Sequence, residues 1–587
     1  MKLLKLEIGN FSREKQFRSL HSGYSIHFHH IANGINSSME EFNPFCFVGL
    51  NGRGKSNVLE ALASIFFHLE CCVASYNPKT FEKYFRPQEC TPDAFTLEYL
   101  IGQDNDSTYI PTNFEKIVIR KESGKSPIMY RHSHPFTDQE EIFPVSLEPK
   151  YNIENPQPAD GKRYLPDIII GYSSGENEIL SLPFRKSRLI NFDKYREDYI
   201  RGYKYKEPEN SMIYIDSLMS QAVLLSCLLF EDEGTLAPFR KELGIVTLRS
   251  FRMNLNLQNL VIEDDKDGKT QTPILGHIQD IIENLKNCAS CWFQSEEKIN
   301  SFDDRLPASL TMDFFVDDIT KKLFRQYFRT PFDLFRFLQV LYELNANIVS
   351  ESIKEEVYMS KGFYTDGKLP SGSPNQNVFY FLDFLIVKKN EGEPEPIELL
   401  LRELSDGEHQ FLHTMGICIM LKDRRSLLLL DEPETHFNPN WRSKFIKFLN
   451  DSINAGGKRD GIDYNIHLLK DIILTSHSPF MISDCKPESV ICFEINEKSK
   501  KIESKNAAEL GLKAYGSSID YILKNYFKTK LISEKSFDEL KDIIETGTIE
   551  ELREAVEYFG ESSEKQFLFR KIYEKTSQQN DNKTSKT

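Results

Sequence analysis

The segment Gly49-Leu50-Asn51-Gly52-Arg53-Gly54-Lys55-Ser56 has the residue types and spacing of a phosphate cradle. Its glycines let successive backbone N–H groups converge on phosphate oxygens. Lys55 then reaches the β and γ phosphates and Ser56 binds Mg²⁺, while the following helix adds its N-terminal partial charge. Asn51, Gly52, Arg53, Gly54 and Asn57 complete the set expected to contact nucleotide. A second segment, Ser426-Leu427-Leu428-Leu429-Leu430-Asp431-Glu432-Pro433, ends an apolar run in two carboxylates. Asp431 suits the Mg²⁺ shell, and Glu432 can polarise an attacking water as general base. Two acids after a buried strand can also be a plain capped turn; beside a phosphate loop the catalytic reading is preferred.

Two further segments gain meaning only in that company. Leu404-Ser405-Asp406-Gly407-Glu408-His409-Gln410 lies 26 residues before Asp431, counted from Ser405. A hydroxyl, a glycine and an acid mark a helix start, which by itself reads as an ordinary N-cap. Thr475-Ser476-His477-Ser478 follows another apolar run, and His477 stands 46 residues after Asp431. A lone histidine there would be structural; with the other three segments it becomes a γ-phosphate contact.

These segments must be positioned by strands and helices. Phe45-Cys46-Phe47-Val48, Asp167-Ile168-Ile169-Ile170-Gly171, Ser426–Leu430 and Ile472–Leu474 are short apolar runs, as buried strands of a parallel sheet require. Asn57–Phe66 has helical spacing, and the N-terminal Met1–Glu7 alternates like a strand and lacks a signal peptide's apolar core. Between Leu180 and Val387 apolar residues recur at helical intervals, as at Leu218, Ala222, Leu225 and Leu229. No heptad pattern is sustained, which argues against a long coiled-coil arm. The expected division is 1–180 and 391–510 as two parts of one α/β head, 181–390 as a mostly helical insertion, and 511–587 as small helices with a disordered tail from Ser577.

Of all residues, 40% are hydrophobic and 27% charged, as in ordinary globular proteins, and the formal net charge is −15. That charge argues against attraction of the whole surface to nucleic acid or anionic membrane, and leaves room for a local basic patch. The ten cysteines form no disulfide-like framework, so a reducing cytoplasm is the expected home. No membrane role is expected.

Order and spacing of the four segments resemble the ABC ATPase heads of the SMC and RecF group. They resemble still more the compact ATPases of bacterial defence islands, overcoming-lysogenization-defect (OLD) and Septu-type ATPases among them. The likeness is carried by Asp431-Glu432-Pro433-Glu434-Thr435-His436-Phe437-Asn438-Pro439 and by Thr475-Ser476-His477-Ser478-Pro479-Phe480. It implies a P-loop head with a mostly parallel sheet and N-terminal antiparallel strands, using ATP and Mg²⁺. It also implies that Ser405 and Gly407 complete the site of a second copy, giving a homodimer or higher homo-oligomer. Asp406 stands where ABC transporters have glycine, which places a carboxylate near the phosphates. Tyr172-Ser173-Ser174-Gly175-Glu176-Asn177-Glu178 mimics the Ser405 element and is read as the lid region; Gln221 is one candidate for the lid glutamine.

OLD-type proteins carry a metal-binding nuclease domain after the switch histidine, built around a D-x-D pair. The 110 residues after His477 hold no D-x-D, so any nuclease is expected to be a separate effector. The resulting expectation is an ATPase subunit of an anti-phage or restriction-associated complex, triggered by DNA or a phage component. The alternative is a RecF- or SMC-like ATPase of DNA repair or chromosome maintenance. Three other signals weigh little: Cys288-Ala289-Ser290-Cys291 lacks a second pair, His132 and His134 lie in a loop, and Arg185-Lys186-Ser187-Arg188 reads first as a solvated face and second as a phosphate-backbone contact.

Overall fold

Ser426–Asp431 and Lys470–Thr475 are buried at every position, which a strand sustains only where both faces of its sheet are covered. The computed structural model describes residues 1–9, 16–30, 37–102, 114–150, 155–175, 178–259, 261–263, 271–273, 277–298, 305–361, 368–370, 372–389, 395–421, 424–454, 458–459, 462–463, 469–529 and 532–584. In it the two strands are neighbours inside a seven-stranded sheet. From edge to edge its strands are Met212–Tyr214, Ile168–Ser173, Ser426–Asp431, Lys470–Thr475, Phe45–Val48, Val490–Ile495 and Ile502–Asn506. All neighbours pair in parallel except the last pair.

The register of this sheet sets up the site. Ser173 pairs with Asp431, Asp431 with Thr475 and Thr475 with Phe47, so these four residues stand in one row at the strands' C-terminal ends. Ligands bind at that edge in open α/β sheets because the chain leaves each strand there in a loop.

The second layer is a six-stranded antiparallel sheet: Ser25–His27, Lys2–Ile8, Phe95–Gly102, Phe114–Lys121, Ile128–Ser133 and Glu141–Val145. The helix Lys55–Val73 packs its Leu59, Leu62, Phe66 and Leu69 into the core shared by the two sheets. It is the one helix among the described residues long and apolar enough to cross a membrane by composition. Burial between layers accounts for that composition, since a helix enclosed on all sides is apolar all round. The architecture is thus the α/β head expected, a mostly parallel sheet beside N-terminal antiparallel strands.

The region 181–390 holds more helix than strand among the described residues, but it also carries a sheet that the mostly helical expectation did not include. The helices Ser217–Phe230 and Pro331–Glu343 are present, yet they pack beside a five-stranded antiparallel sheet. Its order is Cys291–Lys298, Arg305–Phe315, Ile245–Leu255, Phe379–Lys388 and Ile397–Leu400. Phe251, Phe314, Phe324 and Phe384 form its aromatic core, with Phe251 and Phe314 stacked at 4.4 Å. Ile245–Leu255 buries only part of its length, with exposed or half-buried residues between the buried ones, so charged residues interrupt its apolar pattern and mask it. Lys186 is likewise not on a solvated face: it is half-buried, its pKa is lowered by desolvation to about 8, and it donates to the Tyr358 and Ser360 carbonyls. That excludes it from a phosphate-backbone contact.

Beyond residue 510 the chain forms the helices Ile519–Asn525, Glu534–Thr546, Ile549–Tyr558 and Lys565–Thr584, the last three around a small core of Leu540, Leu552, Ala555 and Leu568. The tail expected to be disordered is helical as far as Thr584, because it continues a helix already packed through Leu568; 585–587 lie outside the described residues.

Asp471 ties the antiparallel layer to the parallel one. Its Oδ2 accepts from the Leu3 N–H at 2.6 Å, and its Oδ1 lies 3.1 Å from Lys2 Nζ and 3.0 Å from His29 Nε2. Burial opposes the charge, but Lys2, His29 and the Leu3 N–H outweigh it and hold the carboxyl at about 2. Asp471→Asn leaves the buried Lys2 ammonium uncompensated, and should cost about 3–5 kcal/mol in urea unfolding at pH 7. Because the folded-state pKa lies below the ordinary value of 3.8, the gap between the two chains should be full above that pH and shrink as pH falls toward about 2.

Candidate functional site

The phosphate loop leaves the strand Phe45–Val48 and enters the helix at Lys55 through three left-handed or extended-positive glycines. Gly49 has φ 146°, Gly52 φ 74° and Gly54 φ 89°, values that L side chains rarely adopt. A Cβ at Gly49 would stand 2.6 Å from the Phe493 carbonyl oxygen, whereas one at Gly52 meets nothing within 4 Å. Lys55 Nζ turns back into the loop, donating to the Gly49 carbonyl at 2.8 Å and the Leu50 carbonyl at 3.3 Å. Burial lowers its pKa, and Glu432 and Asp431 act in the other direction. Asn51 and Gly52 are exposed on the loop, Arg53 is partly buried, and Asn57 Nδ2 donates to Ser19 Oγ at 2.6 Å.

Asp431 gathers the centre. Its Oδ1 accepts from Ser56 Oγ at 3.0 Å and from Thr475 Oγ1 at 2.7 Å. The same Thr475 hydroxyl oxygen accepts from the Glu432 N–H at 3.0 Å. Glu432 is held at φ 49°, a left-handed conformation costly for a side chain of this size and typical of functional turns. Burial and the Asp431 charge raise the Glu432 pKa, with Lys55 acting against them. His477 Nε2 lies 3.5 Å from Glu432 Oε1, and burial together with the Lys55 charge lowers the His477 pKa.

The donor set fits the expected Mg²⁺ and triphosphate. Ser56 Oγ and Asp431 Oδ1, hard oxygens 3.0 Å apart, face the same end of the sheet as Lys55 and the open glycine loop. Lys55, Ser56, Asp431, Glu432 and His477, distant in sequence, are therefore brought together.

Ser405 and Gly407 are elsewhere. Ser405 caps the helix Asp406–Met420 in a capping box with Glu408, and it is exposed. A Cβ at Gly407 would meet the His436 carbonyl oxygen at 2.9 Å, so this helix start packs on the segment after Glu432. Among the described residues no hydrogen bond joins Ser405 or Gly407 to residues 49–56. Gln221 lines a cleft with Asp406, His409 and His436 against the same helix. Ser174, after the strand Ile168–Ser173, donates its N–H to the Asp431 carbonyl at 3.2 Å and meets Thr435 Oγ1 at 2.8 Å. Glu176 and Asn177 of that segment lie outside the described residues.

Three residues of the site escaped the sequence reading. Thr475 bridges the two carboxylate positions, and its place was readable only from register. Glu434 is buried, bonded to Ser476 Oγ and pushed by burial to about 7. Glu60, one helical turn beyond Ser56, is pushed by burial to about 8, with the Arg18 guanidinium 3.8 Å away.

The glycine geometry predicts opposite tolerances. Gly49→Ala should weaken binding of a fluorescent ATP analogue at least tenfold, because the loop must leave Phe493. Gly52→Ala has open space and should cost only the left-handed penalty, of order 1 kcal/mol or about fivefold.

No curated protein matches the chain. Among solved structures, an Smc head domain with an extended coiled coil from Pyrococcus furiosus, bound to the C-terminal domain of ScpA, is 11% identical, with 87% of this chain and 98% of that chain covered at a TM-score of 0.28. An SmcHead bound to the C-winged helix domain of ScpA is 10% identical, with 87% and 100% covered at 0.29. An Smc head domain with a coiled coil and joint from Pyrococcus yayanosii is 12% identical, with 87% and 98% covered at 0.28. At such scores these likenesses carry no weight for function. The family model for an AAA ATPase domain matches residues 1–482, the span that contains the phosphate loop, the Asp431 centre and His477. The chain belongs to the AAA ATPase domain family.

Proposed function

We propose that this ATPase is the nucleotide-driven subunit of an anti-phage defence or restriction-associated complex. In this reading two copies dimerise through composite ATP sites and regulate a separate nuclease effector. The observation that carries the composite site is the exposure of both halves on one chain: Asn51 and Gly52 of the phosphate loop are open, and so is the Ser405 helix start. A helix start whose hydroxyl is engaged, among the described residues, only by its own Glu408 is available to a neighbour's nucleotide. A two-fold arrangement of such surfaces closes two equivalent sites at once.

Within each site Lys55 neutralises phosphate charge and the loop from Asn51 to Gly54, with Asn57, fixes the phosphates by backbone and side-chain contacts. Ser56 and Asp431 hold Mg²⁺, which when bound offsets charge on the phosphate oxygens. Glu432 accepts the proton of the attacking water; its raised pKa brings it closer to the strength such a base requires. His477, beside Glu432, contacts the γ-phosphate region and registers its loss. The assignment to defence, with its separate effector, rests on the resemblance of the segments Asp431–Pro439 and Thr475–Phe480.

Glu432→Gln should retain ATP binding and lower steady-state hydrolysis by at least about a hundredfold in a phosphate-release assay; an unchanged rate would remove Glu432 from the chemistry. Lys55→Ala and Ser405→Arg should each be inactive alone. Mixed in equal amounts they should recover about a quarter of wild-type activity, because half the dimers would hold one intact composite site of two. Complete failure to recover would sink the composite reading while leaving ATP binding itself untouched.

A further inference from the structure

A cavity of about 490 Å³ lies at the far end of the phosphate-loop helix, lined by Glu70, Cys71 and the turn Ala74–Asn77 that follows. At 1.5 Å per residue, Lys55 and Cys71 on the helix Lys55–Val73 are about 24 Å apart, so this cavity is not part of the ATP site. Its volume falls within the roughly 300–1,000 Å³ typical of small-molecule sites. None of the four sequence segments contributes to it.

Its chemistry is specific. Tyr195, Tyr205 and His277 meet edge to face, Tyr195 with Tyr205 at 6.5 Å and with His277 at 5.8 Å, giving flat apolar surfaces for a planar guest. His277 Nε2 is buried and has no hydrogen-bond partner among the described residues. Deeper in, Glu343 is buried, and its Oε1 accepts from Asn191 Nδ2 at 2.8 Å and Gln339 Nε2 at 2.7 Å. Burial pushes this carboxyl up to about 7, so near neutrality it offers an O–H donor as well as an acceptor. A donor–acceptor edge beside an amide is what the hydrogen-bonding edge of a heterocycle pairs with. Of the other acids, Glu70 bonds Lys162, Glu209 lies 2.8 Å from Lys194, and Asp198 accepts from the Tyr76 hydroxyl. At the rim Lys204, Lys206 and Glu207 are exposed, with Lys206 donating to Asn155 Oδ1 and the Pro156 carbonyl, so the two lysines leave a net positive charge where an anionic tail would emerge.

We propose that this cavity is a second small-molecule site, which takes a nucleoside monophosphate or a close relative. The base stacks among Tyr195, Tyr205 and His277 and pairs with Glu343 and Asn191, and the phosphate meets the lysine rim. Occupancy would bear on the last turn of the helix whose first turn carries Lys55 and Ser56, which makes the site regulatory toward the ATPase. The inference is independent of the composite dimer and of the effector.

The test uses the full chain carrying Lys55→Ala, which silences the phosphate loop, titrated calorimetrically with AMP, GMP, CMP and UMP in turn. At least one should bind with one site per chain, and Glu343→Gln or Tyr205→Ala in the same background should weaken it about tenfold or more. Removing the phosphate, as in the matching nucleoside, should also weaken binding. Both substitutions are checked for unchanged thermal unfolding, and Glu343→Gln preserves shape, so a loss is not a folding failure. Absence of binding by all four monophosphates, or binding that survives both substitutions, overturns the proposal.

Discussion

One oxygen, Asp431 Oδ1, accepts from two hydroxyls that come from opposite parts of the chain, Ser56 and Thr475. Neither bond is strong alone; a net contribution near 1 kcal/mol each is the usual scale. Their value is positional. Ser56 is fixed by the helix start, Thr475 by the sheet register, and Asp431 by the strand between, so the carboxylate can occupy only one place relative to the phosphate loop. The Glu432 backbone is then fixed in turn, because its N–H is held by the Thr475 hydroxyl in a conformation it would not otherwise choose. Among Ser56, Asp431, Glu432 and Thr475 only Glu432 has a positive φ, and it is the residue proposed as general base.

That arrangement needs a sheet that does not shift in register, and the molecule secures it from the opposite end. The Met1 amino group donates to the Leu469 carbonyl at 2.6 Å, and Lys2, Leu3 and His29 converge on Asp471. On the neighbouring strand Arg425 binds Asp167 through its guanidinium and its backbone N–H. The strand ends remote from the site are therefore pinned by charge and hydrogen bonds, and the ends that carry Asp431 and Thr475 inherit the register. A one-residue slip would turn those side chains to the other face.

The site was largely legible because its parts are local. A glycine loop, an apolar strand ending in two acids and an apolar strand ending in a histidine each declare themselves within about eight residues, and the family resemblance joins them. The parallel sheet was legible for the same reason, since strands covered on both faces are continuously apolar. The five-stranded sheet was not. Ile245–Leu255 pairs with Phe379–Lys388 from more than a hundred residues away, and its outward positions include Arg249 and Arg252, which break the apolar run. Lys186 misled in the opposite direction: in sequence it stands between two arginines, and only the fold reveals that it closes the carbonyl end of the helix Glu351–Met359. Thr475 could not be singled out, because a threonine at a strand end has no distinctive neighbours; pairing with Asp431 gives it a role.

The unforeseen sheet also changes how the insertion relates to the nucleotide. Its edge strand Ile397–Leu400 pairs with Phe379–Lys388 and runs through the turn Leu401–Glu403 straight into Ser405. Lys388, on the paired strand, bonds Glu408, the acid that completes the capping box at Ser405. Strand, ion pair and cap thus form one continuous unit, and a displacement of this sheet is transmitted to the helix start without an intervening flexible linker. Phe293, Phe315 and Leu382 stand exposed on the same sheet. In the proposed dimer, a contact that tilts the sheet would therefore act on the helix start assigned to the partner's site, and leave the phosphate loop, held by a different sheet, where it is. On that reading, nucleotide binding and closure of the composite site are mounted on separate layers, which allows one to be controlled without disturbing the other.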